Sequence, residues 1–269
     1  MPIIDSHAYF GAPPESVRKG SVEEVESVLG QCRVNAVILT SAMGETGDFQ
    51  RGNELLEKAM AGHPGVSGYL SVNPSYPDES VEEMRKRLGR NGFQALKLPR
   101  ETAGPRLASE GFKAILHAAL RYTLPVMVDT ASEADVRDVI DLAHEFHSLK
   151  FVLGGMGEQD WETAVRACAP VLNTLLEIGS LEADRDKIAD AVKGVTARRL
   201  LFGSHFPRLH PLYVLGMVRD AGIEDRDRER ILWRNAAELF GLEVPEEPLQ
   251  PRSASTPPAP APSGSQSGH

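Results

Sequence analysis

Four residues with reactive side chains end short apolar runs: His7 in "PIIDSH", Lys97 in "FQALK", Asp129 in "LPVMVD" and His205 in "LLFGSH". A strand that turns polar at its carboxyl end is where α/β proteins keep their chemistry. Imidazole, carboxylate and ammonium groups are the means of general acid–base catalysis. A lysine at such a place needs a counter-charge, because a buried ammonium is costly unless paired, and Asp129 is the candidate partner. Other run ends supply candidates for holding a substrate: Tyr9, Asn73, Gly155 and Glu177. Tyr9 offers a ring with a polar tip. Gly155, inside "GGMG", either turns backbone N–H groups toward an anion or only leaves space. Glu177 is a further acid, or the partner of a neighbouring arginine. A lone histidine is more often a hydrogen-bonded residue under a loop; the shared placement of His7 and His205 at run ends favours a site. His63, His117, His144, His147 and His210 fall in helical or loop stretches, and His144 and His147 share a helix face without a third ligand.

These ends must be positioned by elements. β-type runs recur as "PIIDSH", "VNAVILT", "GYLSVNP", "FQALKL", "LPVMVDT", "KFVLGG", "LNTLLEIG" and "RLLFGS". Between them lie stretches with helical spacing, such as "SVEEVESVLGQC", "DESVEEMRKRLGR", "SEGFKAILHAALRY", "SEADVRDVIDLAHEF" and "EADRDKIADAVKG". Ser21, Asp78, Ser109 and Ser132 stand where N-caps belong, and Glu24 completes a capping box with Ser21. The runs are continuously apolar, which predicts a parallel sheet covered by helices. Eight β/α units in about 240 residues predict an α/β (β/α)8 TIM barrel, whose functional residues converge at the carboxyl ends of the strands. The competing open doubly wound sheet would carry G-x-G-x-x-G after its first strand, and none is present.

With 269 residues, 41% of them hydrophobic and 25% charged, the chain can bury a sizeable core. Its net charge of −9 argues against nucleic acid and anionic membranes as partners and for a small-molecule substrate, with a homo-oligomer left open. No apolar run approaches the roughly 18 residues of a membrane span, and no basic-then-apolar leader opens the chain, so a cytoplasmic address is expected. Cys32 and Cys168 read as reduced, structural thiols. From Pro245 the composition turns to Pro, Ser and Ala without an apolar period, which predicts one barrel domain over 1–244 and a disordered tail over 245–269.

"IIDSHAYFG", "FQALKLP", "LPVMVDT", "KFVLGGMG", "LLFGSHFP" and the closing "NAAELFG" resemble the amidohydrolase-related TIM-barrel hydrolases, a branch that includes metal-dependent hydrolases and decarboxylases. The resemblance covers Pro2 to Leu242. It implies metal ligands at a first-strand His-x-His, at histidines ending the fifth and sixth strands, and at an eighth-strand aspartate. His7 matches the first; Tyr9, Asp129, Gly155 and His205 occupy the others with different side chains. One reading is a rearranged centre in which His7, Asp129 and His205 hold one divalent ion of zinc or iron type. Another has no metal: Asp129 orients His205 or His7 and raises its pKa, while Lys97 and Tyr9 polarise a carbonyl or hold a carboxylate. Ordinary zinc binding is expected to be substoichiometric. The reaction expected is hydrolysis of a small ester, lactone or amide. Decarboxylation, which the resemblance equally implies, and a non-catalytic ligand-binding or scaffold role with an eroded site are the alternatives.

Overall fold

Eight parallel strands pair in chain order, β1 to β8. They are β1 (Ile4–Phe10), β2 (Ala36–Ser41), β3 (Val66–Ser71), β4 (Phe93–Leu98), β5 (Val126–Asp129), β6 (Phe151–Gly154), β7 (Thr174–Glu177) and β8 (Leu200–Leu201). The last strand returns to the first: Ser6 donates its N–H to Phe202 O at 2.9 Å and His205 donates to His7 O at 2.7 Å. Helices follow the strands: α1 (Val22–Gln31), α2 (Ala42–Glu45), α3 (Phe49–Met60), α4 (Pro77–Arg87), α5 (Glu110–Ala119), α6 (Glu133–Glu145), α7 (Trp161–Cys168), α8 (Lys187–Val195), α9 (Pro211–Asp220), α10 (Asp225–Glu229) and α11 (Asn235–Phe240). This is the (β/α)8 barrel that the alternation predicts. The structure is a computed structural model that describes residues 1–13, 16–100, 104, 106–182, 184 and 186–251. Among these, no helix is long and apolar enough to cross a membrane.

Helix starts follow local chemistry. Ser21, Ser109 and Ser132 accept the N–H groups of Glu24, Phe112 and Asp135 as N-caps. Asp78 does not cap α4, whose N-cap is Tyr76. Pro77 takes the first helical position, where its missing N–H costs nothing, and so moves the start ahead of Asp78.

The core has two layers. Ile4, Ile38, Tyr69, Ala95, Met127, Val152, Leu175 and Leu201 fill the barrel, joined by Ala236 and Phe240 of α11. Their neighbours along the strands, including Val37, Leu39, Leu96, Val128, Leu153 and Leu176, pack outward with the helices. Successive side chains of a strand point to opposite faces, so the residue two beyond an inward one also faces inward. Lys97 follows Ala95, Asp129 follows Met127 and Glu177 follows Leu175 in this way. All three therefore stand one layer above the apolar barrel filling, toward the mouth.

The chain after Pro245 departs from its expected description. Asn35 donates its side-chain amide to the carbonyls of Pro245 and Glu246 at 3.0 and 3.2 Å, and Leu249 donates its N–H to Val34 O at 2.8 Å. Leu249 is buried against the outer core. One leucine in a polar, proline-rich context escapes a composition argument, yet it is enough to dock the first residues of the stretch. Residues 252–269 lie outside the described residues.

Candidate active site

β1 reaches the mouth by a change of phase. Its register on β2 slips between Asp5 and Ala8, where three residues of β1 span two of β2. Such a bulge re-aims the side chains that follow it. Ala8 consequently joins the outer core, while His7 and Tyr9 meet the mouth cluster. The His7 ring lies 4.1 Å from that of His205 and 5.2 Å from that of Tyr9, centroid to centroid. His205 follows β8 with a left-handed backbone, φ 56°, a conformation costly for a side chain with a Cβ and found where surrounding structure enforces it.

The predicted four, His7, Lys97, Asp129 and His205, are brought together, with Glu177 joining the two histidines. Lys97 Nζ donates to His7 Nε2 at 2.9 Å and makes a short hydrogen bond to Asp129 Oδ1. His7 Nδ1 lies 3.2 Å from Glu177 Oε2, and His205 Nε2 lies 2.8 Å from the same oxygen. Gly155 N–H also donates to Oε2 at 3.1 Å, and Gly179 N–H donates to Oε1. An ammonium has no acceptor, so His7 Nε2 must carry the lone pair and Nδ1 the proton.

Burial, then the charges of Lys97 and His205, lower the His7 pKa to about 3. Its contact with Glu177 is therefore a neutral hydrogen bond and not an ion pair. Burial opposes charge on Glu177, but the positive charge of His205 and hydrogen bonds from both histidines hold its carboxyl well below the ordinary range. Burial likewise opposes charge on His205, and Glu177 overcomes it, raising the imidazole above its ordinary value. Asp129 is opposed by burial and held low by the Lys97 ammonium. The cluster thus sets Lys97 against Asp129 and His205 against Glu177.

Several expectations change. The carboxylate that orients the imidazoles is Glu177, because Lys97 takes Asp129. Glu177 pairs with histidines and not with an arginine. The N–H of Gly155 does face an anion, but that anion is Glu177 of the chain itself. The inward residue at the tip of β6 is Gly154, where a Cβ would stand 2.5 Å from Asp129 Oδ1. Asn73 is committed to its own loop: its side chain accepts the Ser75 N–H at 3.0 Å, and its backbone exchanges hydrogen bonds with the Ser80 hydroxyl. Tyr9 lies under Arg208, whose guanidinium sits 4.8 Å over the ring and also meets Glu45 at 3.2 Å.

Among the described residues, the three donors that come within 4.8 Å of one another are His7, Glu177 and His205, with Glu177 in place of the expected Asp129. Their spacing suits ligands about 2.0–2.2 Å from one ion. Their protons do not suit it, since each imidazole N–H already points at Glu177 Oε2 and the second nitrogen of His7 is taken by Lys97. As arranged, the trio is a closed hydrogen-bonded set and does not fit a metal ion.

Sequence reasoning missed the glycines that make room for the cluster. A Cβ on Gly203 would lie 2.4 Å from Glu177 Oε1, and one on Gly179 would lie 2.5 Å from His205 Cδ2. It also missed Asp5, fully buried, which accepts the N–H groups of His7 and Ser204 and so holds β1 to the turn after β8. Burial raises the Asp5 carboxyl to about 7. Thr40 and Ser71, on β2 and β3, bring buried hydroxyls that have no hydrogen-bond partner. Thr40 ends the run "VNAVILT" and is legible there as a strand end, whereas the signal for Ser71 was its place two positions beyond inward Tyr69.

Similar folds occur in solved structures. The chain is 12% identical to 5-carboxyvanillate decarboxylase from Sphingomonas paucimobilis, with TM-score 0.71, over 90% of this chain and 99% of that one. It is 16% identical to a dihydroxybenzoic acid decarboxylase from Polaromonas sp. JS666 solved with manganese and 2-nitroresorcinol, with TM-score 0.71, over 91% and 98%. It is also 16% identical to a protein described as a probable 2-pyrone-4,6-dicarboxylic acid hydrolase from Acinetobacter baumannii, solved with citric acid, with TM-score 0.68, over 90% and 100%. No curated protein matches the chain. The amidohydrolase family profile matches residues 4–242, a span that holds all eight strands and every member of the cluster, and the chain belongs to the amidohydrolase family.

Proposed function

We propose that the cluster is a metal-independent acid–base centre that hydrolyses a small ester or lactone. The observation that carries this reading is the opposite pairing of the two members that reach the mouth, Asp129 against a cation and His205 against an anion. The side chains of His7, Lys97 and Glu177 are wholly buried, whereas Asp129 is 18% and His205 11% exposed. Lys97 keeps Asp129 a carboxylate, and Glu177 keeps His205 an imidazolium. A water molecule gives its proton to Asp129 as its oxygen bonds to the carbonyl carbon. The imidazolium, whose Nε2–H stays hydrogen-bonded to Glu177, offers its Nδ1 proton to the developing oxyanion and then to the leaving oxygen as the carbon–oxygen bond breaks. Thr40 and Ser71 supply hydroxyls, and Arg208 with Tyr9 a cationic rim, to orient an anionic or carbonyl-bearing substrate.

Decarboxylation is the second reading, supported by the two decarboxylases of similar fold. There the carbon–carbon bond breaks, carbon dioxide leaves, and the His205 proton passes to the carbon. The test is a panel of lactones, esters and hydroxybenzoates offered to EDTA-treated, untagged protein in 18O-labelled water. Hydrolysis predicts label in the product acid, insensitivity to EDTA and a fall of about 10²–10⁴-fold in Asp129→Asn. Carbon dioxide without label would replace hydrolysis by decarboxylation, and turnover that requires added metal would refute both steps as written.

A further inference from the structure

We infer that the groove formed by the docked stretch after Pro245 is a second ligand site, in which the Glu26 carboxylate receives a small organic cation, an ammonium or amidinium carried on an apolar body. The site is separate from the acid–base centre. Asn35 and Pro64, which line it, stand just before β2 and β3, so the groove lies at the amino ends of the strands, on the face opposite the mouth.

The lining explains why a donor fits. The groove holds about 620 Å³ and is walled by Pro64, Pro245, Pro248 and Pro251, with Glu26 and Glu247 as its charged members. Proline has a fixed φ and no N–H, so these walls are stiff and bring carbonyls without donors. Two further donors are spent: Asn35 gives its amide to the carbonyls of Pro245 and Glu246, and Leu249 gives its N–H to Val34 O. Among the described residues no lysine, arginine or histidine lines the groove. A surface poor in donors and rich in acceptors suits a ligand that donates.

Glu26 supplies the charge. This residue of α1 is 1% exposed. Its Oε2 lies 3.0 Å from His63 Nδ1 but off a hydrogen-bonding direction, and both atoms are buried without a hydrogen bond. Among the described residues none reaches Oε1 either, which leaves that oxygen for the groove. A buried carboxylate without a donor is costly, and each such group calls for a physical reason. A cation with N–H groups satisfies the oxygen and its charge together, while the proline rings and Leu249 cover an apolar body. Glu247, exposed at the rim, adds a second negative charge.

The experiment titrates benzamidinium, and separately benzamide, its neutral counterpart of the same shape, into 15N-labelled, full-length, untagged protein at matched ionic strength. Wild type, Glu26→Gln and Glu247→Gln are compared, and melting checks that each is folded. Benzamidinium should shift the amides of Glu26, Gly30, Asn35, Leu249 and Gln250 saturably in wild type. Its affinity should exceed that of benzamide, and that of Glu26→Gln for benzamidinium, by at least about 10-fold. Glu247→Gln removes an exposed charge and should weaken binding only about twofold to fivefold. Benzamide binding as tightly as benzamidinium would overturn the inference, as would an unchanged affinity in folded Glu26→Gln or shifts that leave the groove amides untouched. If Glu26→Gln does not fold, the comparison of the two probes in wild type decides.

Discussion

Replacing Glu177 by glutamine keeps the side chain's shape and removes the charge that links the buried floor of the cluster to His205. The carboxylate is wholly buried, 2.8 Å from His205 Nε2. Removing one partner of a buried pair costs about 3–5 kcal/mol, because the other charge is left uncompensated. At about 2–4 °C per kcal/mol for a domain near this size, melting should fall by about 6–20 °C in mildly acid buffer. The pH dependence is the sharper test. In the native protein burial works against the His205 charge and Glu177 outweighs it, so the folded pKa stands above the unfolded value. Stability from the pair is then fully present below about pH 6.5 and is lost as pH rises through the folded pKa. In Glu177→Gln burial acts without its main opponent, and the His205 pKa should drop below the ordinary value. That contribution is present above about pH 6.5 and lost as pH falls. The gap between the two melting curves should accordingly be widest near pH 6 and narrow by pH 9, about the span over which a shifted histidine titrates. Calorimetry across that range, with an imidazole-resolved NMR titration, checks both statements. A gap of constant size, or a His205 that titrates identically in the two proteins, would refute the role given to Glu177.

Leu249→Ala should destabilise by about 2–5 kcal/mol, the range for truncating a buried leucine, since that side chain is 5% exposed and packs on the outer core. Chemical denaturation measures it, and a loss under about 1 kcal/mol would show that the stretch after Pro245 lies loosely on the barrel. Burial raises the Asp5 carboxyl to about 7, so its contribution to stability is complete below about pH 4 and is lost as pH climbs through about 7. Asp5→Asn keeps the oxygen that accepts the His7 and Ser204 N–H groups and cannot ionise. It should flatten the decline and be more stable than wild type by about 1–4 kcal/mol at pH 8. Parallel stability curves for the two proteins would contradict the assignment.

The strand runs and the helical spacing between them determined the barrel, because periodicity and caps are local properties that survive without knowledge of neighbours. The inward aim of Lys97, Asp129 and Glu177 was also present in the sequence, each two residues beyond an apolar residue of the barrel filling. The pairing of Lys97 with Asp129 was legible too, but the acid that meets the histidines was not. Asp129 and Glu177 are equivalent as strand-end acids, and which of them meets a histidine depends on strand register, on the bulge between Asp5 and Ala8, and on the left-handed turn at His205. A shift of one residue sends a side chain to the other face of a sheet, so a bulge some 200 residues away in sequence decides what lies beside His205. The same dependence put Gly154, and not Gly155, at the tip of β6, left Asn73 to its own loop, and let Leu249 find a buried place at Val34. Local patterns set which groups face the mouth; only the closed barrel decided which acid meets the histidines.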